Sequence, residues 1–216
     1  MSTILPRKSS GHQRIIGLTG GIGMGKTTVS DYLRDRHHLP ILDADIYARE
    51  AVDVGSPLLA DIADRYGTCI LFPSGHLDRR RLGDIVFGSV AERTWIERQI
   101  HPFVRQRIQQ DLRDLPPDRY PVVVVVVPLL FEARMTDLVN EIWVVRCPPQ
   151  QQMDRLIQRE LSRVSEGDRV DLEQIQARIS SQLAVERKVD QAHVVLENTS
   201  SLEDLQAQVD RALKQG

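Results

Sequence analysis

The sequence predicts an α/β protein built around a central parallel sheet, because short apolar runs alternate with longer amphipathic segments along its 216 residues. A second observation is the run Val122–Val127, which is six valines without a polar break. Such a run is typical of a central strand covered on both faces, since a half-exposed strand would alternate apolar and polar residues. The length suits one domain with room for an inserted subdomain.

The individual elements follow from this alternation. Apolar runs bounded by polar or turn residues predict five strands: Arg14–Leu18, Pro40–Asp43, Pro121–Val127, Glu141–Arg146 and His193–Leu196. Amphipathic periodicity predicts helices at Gly25–Arg36, Pro57–Tyr66, Ala91–Leu115, Pro149–Leu161, Leu172–Arg187 and Ser201–Leu213. Ser201 with Asp204 three residues on is a helix-start signature. Pro102 predicts a break or kink after His101, because proline displaces the preceding residue from helical geometry.

Two segments do not fit the alternating core. Residues 48–115 lie between two strands and are mostly helical, which predicts an inserted helical cap. Residues 159–178 are rich in charges of both signs and predict a mobile lid. The core then comprises residues 14–47, 116–158 and 179–216 of one domain. Residues 1–13 lack an apolar signal core and are expected to form a short disordered leader, with a transit peptide as the alternative.

Composition narrows the possible partners. The net charge of −2 gives no general attraction to nucleic acid. The apolar run Val122–Phe131 is interrupted by Pro128 and falls well short of the roughly 20 residues that a membrane helix needs. Cys69 and Cys147 match no metal or redox spacing, which suits a reducing cytosol. We therefore expect a cytoplasmic protein without a nucleic-acid or membrane partner.

A glycine-rich loop follows the first predicted strand. Gly20, four further residues, and then Gly25-Lys26-Thr27 match the phosphate-binding loop pattern, with a strand before it and a helix after it. The glycines allow backbone N–H groups to point inward without a Cβ in the way, and the helix adds its positive N-terminus. Lys26 can reach the β- and γ-phosphates, and the Thr27 hydroxyl can ligate magnesium. The loop predicts a nucleoside triphosphate as ligand.

The strand at Val122–Val127 helps to choose among the classes that use this loop. Motor-type ATPases usually end that strand in an acidic pair, whereas Pro128-Leu129-Leu130-Phe131-Glu132 follows it here. The guanine-reading Asn-Lys-x-Asp motif of switch proteins is also absent from the sequence. A small-molecule kinase is favoured by elimination.

The segment after the second predicted strand could handle an acceptor, because open α/β sheets hold ligands at the carboxyl ends of their strands. Asp45 could accept the proton of an attacking hydroxyl, or simply complement the dipole of the helix that starts at Ala44. Asp43 could also accept that proton, or simply cap the same helix. Arg49 lies on the helical face of Asp45, where it could bind an acceptor phosphate or pair with that carboxylate.

Three further positions have open interpretations. His101, at the predicted break, could face a cleft or be a satisfied core or capping histidine. Arg105 follows one turn later, and it could either contact an anion or be a solvated charge. Arg155 and Arg159 share one helix face, and an arginine there could neutralise charge on the transferred phosphoryl group, although a surface helix with two arginines is common.

Seven motifs together resemble one family, the dephospho-coenzyme A kinases, over about Ile15 to Leu213. In chain order they span Gly17–Thr28, Asp43–Arg49, Ile100–Arg105, Val127–Glu132, Gln152–Arg159, Arg178–Gln182 and Ala192–Asn198. The resemblance implies a three-layer core like that of P-loop nucleoside-triphosphate hydrolases, a helical acceptor-binding insertion and a lid. It implies transfer of the γ-phosphoryl group of ATP to the ribose 3′-hydroxyl of dephospho-coenzyme A, with magnesium, in the final step of coenzyme A synthesis.

The resemblance also implies roles for individual residues. Asp45 is the base or acceptor-hydroxyl ligand, Lys26 and Arg155 act on the phosphates, and Thr27 contacts the metal. The acceptor pocket is lined by Arg49, His101, Pro128 and Leu129 in addition to Asp45. ATP is held by Gly21, Ile22, Gly23, Met24, Gly25, Lys26, Thr27 and Thr28, with Arg155, and with Asn198 near its adenine.

Some positions depart from the family pattern. Met24 replaces the usual serine, and we expect its side chain to point away from phosphate. Thr27 replaces serine but keeps the hydroxyl. The predicted lid is longer than the form common in the family, and the segment Lys188–Ala192 differs from the family's usual alanine-aspartate sequence. The rival interpretations are another P-loop kinase acting on a nucleoside, nucleotide or sugar, and a nucleotide-binding module without catalysis. We expect a monomer or a weak homo-oligomer.

Overall fold

The computed structural model describes residues 13–162 and 170–215. Residues 1–12 of the predicted leader and residues 163–169 of the predicted lid lie outside this part of the chain. The strands are β1 (Arg14–Gly20), β2 (Ile41–Asp43), β3 (Val122–Val126), β4 (Glu141–Arg146) and β5 (Val194–Glu197). The α-helices are α1 (Lys26–His37), α2 (Ala44–Glu50), α3 (Pro57–Tyr66), α4 (Arg79–Gly88), α5 (Val90–Asp114), α6 (Pro149–Leu161), α7 (Leu172–Ser180), α8 (Val185–Val189) and α9 (Leu202–Lys214).

The five strands form one sheet in the order β2-β3-β1-β4-β5. The pairs β1–β3, β1–β4 and β4–β5 are parallel, so the loops after β1 and β3 leave from the same edge. The chain moves to one side of β1 for β2 and β3 and to the other side for β4 and β5. Ligands bind at such a switch of strand order in open α/β sheets. The predicted fold class is confirmed.

The valine run forms the strand that its composition predicts. β3 lies between β2 and β1, and Val123 to Val126 are buried. Helices cover the sheet, so no row of polar side chains interrupts this strand. Among the described residues, none of the helices combines the length and the apolar character needed to cross a membrane.

The described chain divides into two compact units. One contains the sheet and consists of the chain up to Leu42 together with the chain from Leu115 onward, and the other is Asp43–Asp114. The core of the sheet unit includes Ile16, Leu18, Val29, Leu33, Val124, Val126, Trp143, Val145, Leu196, Leu205 and Val209. The Asp43–Asp114 unit has its own apolar cluster of Val52, Leu59, Ile62, Ile70, Leu77 and Ile96.

The predicted single helix Leu172–Arg187 is wrong, because the structure divides it into α7 and α8. Tertiary hydrogen bonds replace helical ones in the intervening segment. The Leu183 N–H donates to Glu132 Oε1 at 2.9 Å, and the Gln182 side chain accepts from the Ile22 N–H. Periodicity carries no information about such long-range partners.

A break or kink was predicted after His101, and the break is not present: α5 runs through Pro102 as one helix of 25 residues. Proline inside a helix costs about 3 kcal/mol. Ile96, Val104 and Ile108 are buried on either side of the proline. Burying each such side chain contributes about 1.5–3 kcal/mol, which offsets that cost.

Candidate active site

The loop between β1 and α1 owes its path to glycine. Gly23 and Gly25 have φ values of 75° and 101°, in the left-handed region that other residues rarely adopt. A Cβ on Gly25 would also collide with the Asn198 side-chain amide. The loop therefore requires glycine at position 25 for two independent reasons: the left-handed backbone conformation and the close approach of the Asn198 side chain.

Lys26 begins α1 and turns its side chain back over the loop. Its Nζ donates to the carbonyl oxygens of Gly20 at 3.0 Å and Gly21 at 2.9 Å. The ammonium group thus lies against the start of the loop, at the N-terminus of a 12-residue helix. Helix N-termini favour anions because their first N–H groups are unpaired. Thr27 and Thr28 follow in the first turn, and both are exposed.

Side chains from elsewhere in the chain hold the loop backbone in place. The Gln152 amide donates to the Ile22 carbonyl at 2.7 Å, and the Ile22 N–H donates to Gln182 Oε1 at 2.9 Å. Met24 is 4% exposed, and its sulfur accepts from the Gly21 N–H at 3.2 Å. Met24 therefore packs on the loop's own backbone.

Gln152 and Gln182 had no predicted role. A signal for Gln152 exists, because it lies one turn before the buried Leu156 on the apolar face of α6 and is 5% exposed. A buried amide on an apolar face usually has a hydrogen-bonding partner. Gln182 follows α7, and its sequence signal is its place at the end of the motif Arg178–Gln182.

Asn198 contacts the loop directly, and Arg155 is linked to the loop through Asn198. Arg155 Nη2 donates to the Asn198 backbone carbonyl at 3.1 Å and to Oδ1 at 3.3 Å, and Asn198 Nδ2 donates to the Met24 carbonyl at 2.9 Å. Arg155 Nη1 is buried and has no hydrogen-bonding partner within the described residues. An anionic group would satisfy that donor. Arg159, one turn further on, is exposed.

Pro128 and Leu129 follow β3 at the same edge of the sheet. The Pro128 carbonyl accepts a hydrogen bond from Thr19 Oγ1 at 3.1 Å. Thr19 is the residue before Gly20, so the two segments are joined where the phosphate loop begins. The chain then turns tightly, with Arg134 at a φ of 52°.

The predicted acceptor-side residues Asp45 and Arg49 lie on α2, in the Asp43–Asp114 unit. Asp43 Oδ1 accepts from the Asp45 N–H at 2.8 Å and caps the helix. The side chains of Asp45 and Arg49 are both exposed, and the Arg49 carbonyl accepts from Arg79 Nη2 at 3.3 Å. Asp43 is therefore the capping residue of the two aspartates.

His101 lies on α5 of the same unit and is half-buried. Burial lowers the pKa of His101, and the nearby Glu97 carboxylate opposes that shift. The imidazole is thus neutral at pH 7. A neutral imidazole can either donate or accept a hydrogen bond, which suits contact with a polar ligand.

The sheet, the loop and the lysine define a P-loop nucleotide-binding protein. The segment after β3 provides no acidic pair, and Arg155, which is linked to the loop through Asn198, comes from a helix beside a predicted lid. These features favour the kinase branch of that class.

The chain belongs to the dephospho-CoA kinase family, whose model (CoaE: Dephospho-CoA kinase) matches residues 14–204. A dephospho-CoA kinase of Trichormus variabilis is 54% identical over 201 residues, covering 93% of this chain and 97% of the relative. The crystal structure of TT1252 from Thermus thermophilus has a TM-score of 0.76 at 31% identity and covers 94% of this chain and 98% of that one. The Campylobacter jejuni dephospho-CoA kinase, at 23% identity, shares the fold, with a TM-score of 0.68 over 94% and 97% of the chains.

These findings confirm the predicted family and the prediction of a kinase enzyme. The predicted place of the activity, as the last step of coenzyme A synthesis, follows from the family.

Proposed function

We propose that this chain transfers the γ-phosphoryl group of ATP to the ribose 3′-hydroxyl of dephospho-coenzyme A, in the cytoplasm and with magnesium. The observation that carries the proposal is the phosphate loop with Lys26 folded over it. Family membership supplies the acceptor. We infer that the Asp43–Asp114 unit is the acceptor-binding insertion.

On the nucleotide side, the N–H groups of residues 21–28 would bind the phosphates. Lys26 would exchange its two neutral carbonyl partners for phosphate oxygens, since charge-assisted hydrogen bonds are the stronger ones. Arg155 would neutralise charge that develops on the transferred group, with its buried unpaired Nη1 as the donor. Asn198, bonded to both Arg155 and the loop, would lie beside the adenine.

Magnesium fits the residues at the start of α1. Thr27 presents an exposed hydroxyl beside Lys26, and a hydroxyl is the hard oxygen ligand that this ion accepts. When bound, the ion would neutralise phosphate charge. Thr27 is the residue of this chain that we propose to hold it.

On the acceptor side, Asp45 would hold the 3′-hydroxyl and accept its proton. The bond between O3′ and the γ-phosphorus forms as the bond from that phosphorus to the β,γ-bridging oxygen breaks, which leaves ADP. Arg49 would bind an acceptor phosphate, and neutral His101 would hydrogen-bond the acceptor. Pro128 and Leu129 would line its pocket. Positioning the two anionic substrates supplies most of the catalysis.

Mass spectrometry of acceptors incubated with the protein, ATP and magnesium tests the proposal. The panel is dephospho-coenzyme A, AMP, adenosine, uridine and gluconate. We expect dephospho-coenzyme A alone to gain one phosphoryl group. Lys26→Ala should abolish that gain, whereas Lys214→Ala, at an exposed lysine of α9, should leave it unchanged. Transfer to a different acceptor, or ATP loss without any phosphorylated acceptor, would contradict the proposal.

A further inference from the structure

Lys188 is a fully buried lysine that the proposed reaction does not use. It lies in α8, and its side chain is 0% exposed. Burying an ammonium group is costly unless it is paired and hydrogen-bonded, and an apolar residue of similar size is often tolerated better. The presence of a lysine here therefore requires an explanation other than packing.

The Lys188 ammonium group contacts two hydrogen-bond acceptors. Its Nζ lies 2.9 Å from Glu132 Oε1 and donates to the Pro128 carbonyl at 3.2 Å. The Pro128 carbonyl also accepts from Thr19 Oγ1 at 3.1 Å, so both of its lone pairs are engaged. Glu132 Oε1 in turn accepts from the Leu183 N–H at 2.9 Å.

This network connects three segments of the sheet unit. Thr19 immediately precedes the phosphate loop, residues 128–132 follow β3, and residues 183–188 follow α7. The side chains of Lys188 and Glu132 join the second and third of these segments, Lys188 through Pro128 and Glu132, and Glu132 through Leu183 as well. Lys188 fixes the carbonyl of Pro128 rather than contacting the loop itself.

We propose that Lys188 is a positioning residue for the acceptor side of the phosphoryl transfer. This proposal rests on the proposed function, in which Pro128 and Leu129 form one wall of the acceptor pocket. The Lys188 ammonium group holds that wall in register with the start of the phosphate loop. The hydrogen bond to Pro128 is the functional contact. The ion pair with Glu132 provides the compensation that allows the charge to be buried.

Substitutions separate these two contacts. Lys188→Met keeps the length of the side chain but removes both contacts and leaves the Glu132 charge uncompensated. The double variant Lys188→Met with Glu132→Gln removes that charge as well. Glu132→Gln alone keeps the Lys188–Pro128 hydrogen bond. Thr19→Val removes the second donor to the same carbonyl and so tests the wall without touching the buried charge.

Steady-state kinetics and thermal unfolding of these variants test the proposal. Lys188→Met should lower the melting temperature by roughly 5–10 °C, and the double variant should recover much of that loss. Both should lose about 10- to 100-fold in kcat/KM for dephospho-coenzyme A, the worth of a hydrogen bond from a charged donor. The dissociation constant of ATP should stay within about twofold, because no contact of the phosphate loop is removed. Thr19→Val should show a smaller loss of the same kind. Glu132→Gln leaves the buried ammonium uncompensated and should lower the melting temperature, but its kcat/KM should stay close to wild type because the hydrogen bond to Pro128 remains.

Recovery of kcat/KM together with stability in the double variant would overturn the proposal, because Lys188 would then be merely structural. Equal losses for ATP and for the acceptor would overturn it as well. If Lys188→Met does not fold, the double variant and Thr19→Val decide in the same way. Failure of the wild-type protein to phosphorylate dephospho-coenzyme A would instead refute the proposed function, so the two failures are distinguishable.

Discussion

Asp43 and Asp45 are two residues apart but have different environments. The Asp43 carboxylate caps α2 through the Asp45 N–H, whereas the Asp45 side chain is exposed in the first turn of the helix. A capping carboxylate is already used as a hydrogen-bond acceptor. We propose Asp45 for accepting a proton from a substrate, because its carboxylate is exposed and does not cap the helix.

Replacing Asp45 by asparagine should reduce kcat by about 10²- to 10⁴-fold, the usual contribution of a general base. Asparagine keeps the shape of the side chain but removes the basic oxygen. Isothermal titration should show ATP affinity within about twofold of wild type, because the substitution leaves the phosphate loop intact.

The matched control is Asp43→Ser, which keeps a capping oxygen and removes the neighbouring charge. Its kcat should remain near that of wild type. An equal loss of ATP affinity in Asp45→Asn would place Asp45 in the nucleotide site instead, and a collapse of kcat in Asp43→Ser would reverse the two roles.

His101 should make stability fall in mild acid. Its pKa is lowered by burial in the fold, so below the unfolded value of about 6.5 the unfolded chain binds more protons than the folded one. The contribution of His101 is therefore fully present above pH 6.5 and is lost as the pH falls toward the folded pKa. Urea unfolding from pH 7.5 to pH 5 measures the slope.

The variant His101→Gln lacks the titrating group and should show a shallower slope just below pH 6.5. Identical slopes in both proteins would mean that the imidazole is equally solvated in the folded and unfolded chains.

At the scale of single elements, the phosphate loop is constrained on both sides. Glycine conformation sets its path, and side chains of α6, the α7–α8 connection and the loop itself bind its backbone. A short segment held by so many partners should tolerate little change. A side chain added to the loop should therefore lower the free energy of unfolding and also weaken nucleotide binding.

Gly25→Ala tests this constraint directly. The left-handed conformation costs an alanine about 1–2 kcal/mol, and its Cβ would in addition collide with the Asn198 amide. We therefore expect a loss of more than about 2 kcal/mol in the free energy of unfolding, together with loss of ATP binding.

A double-mutant cycle with Asn198→Ala separates the two causes. In that background the collision is gone, so Gly25→Ala should cost only about 1–2 kcal/mol. An unchanged cost would assign the whole effect to backbone conformation.

Element by element, the sequence predicted what depends on local patterning. The valine run, the glycine loop and the Ser201 cap all appear where expected, because β-branched packing, positive φ and N-capping act over a few residues. The errors at Pro102 and at the α7–α8 connection have the opposite origin. Long-range packing keeps α5 continuous, and long-range hydrogen bonds separate α7 from α8. The periodicity of the sequence contains no information about either kind of contact.

At the scale of the whole molecule, the described residues include two separate apolar clusters. The cluster around Ile62 lies within the Asp43–Asp114 unit and is separate from the cluster around Leu196 in the sheet unit. Side chains that share no contacts usually contribute independently to stability. Damage to one core should therefore appear first in its own unit.

Ile62→Ala should cost about 2–5 kcal/mol in the opening of its own unit, because Ile62 is 0% exposed. Hydrogen exchange followed by mass spectrometry should show lost protection in α3 and α5 and near-normal protection in β1, β3 and β4. The matched variant Leu196→Ala should produce the reverse pattern. Uniform loss of protection in both variants would mean that the molecule unfolds as one cooperative unit.

The candidate site was predictable from sequence where a motif specifies chemistry. Lys26, Arg155 and Asn198 were predicted as site residues, and their roles stay predictions. In the structure Lys26 and Asn198 contact the loop backbone, and Arg155 hydrogen-bonds Asn198. The contacts of Lys188 and of Gln152 were not predicted, because their partners lie 56 and 130 residues away in the chain. Only the folded arrangement shows that such side chains meet the site.

The position of the transferred phosphoryl group is the most direct test of the account. The product made from ATP and dephospho-coenzyme A can be analysed by phosphorus–proton correlation NMR. If the 3′-hydroxyl is the acceptor, the new phosphorus couples to the ribose H3′, and ADP forms in equal amount. Coupling to H2′, or ADP formation without a new phosphorus–ribose correlation, would contradict the proposed function.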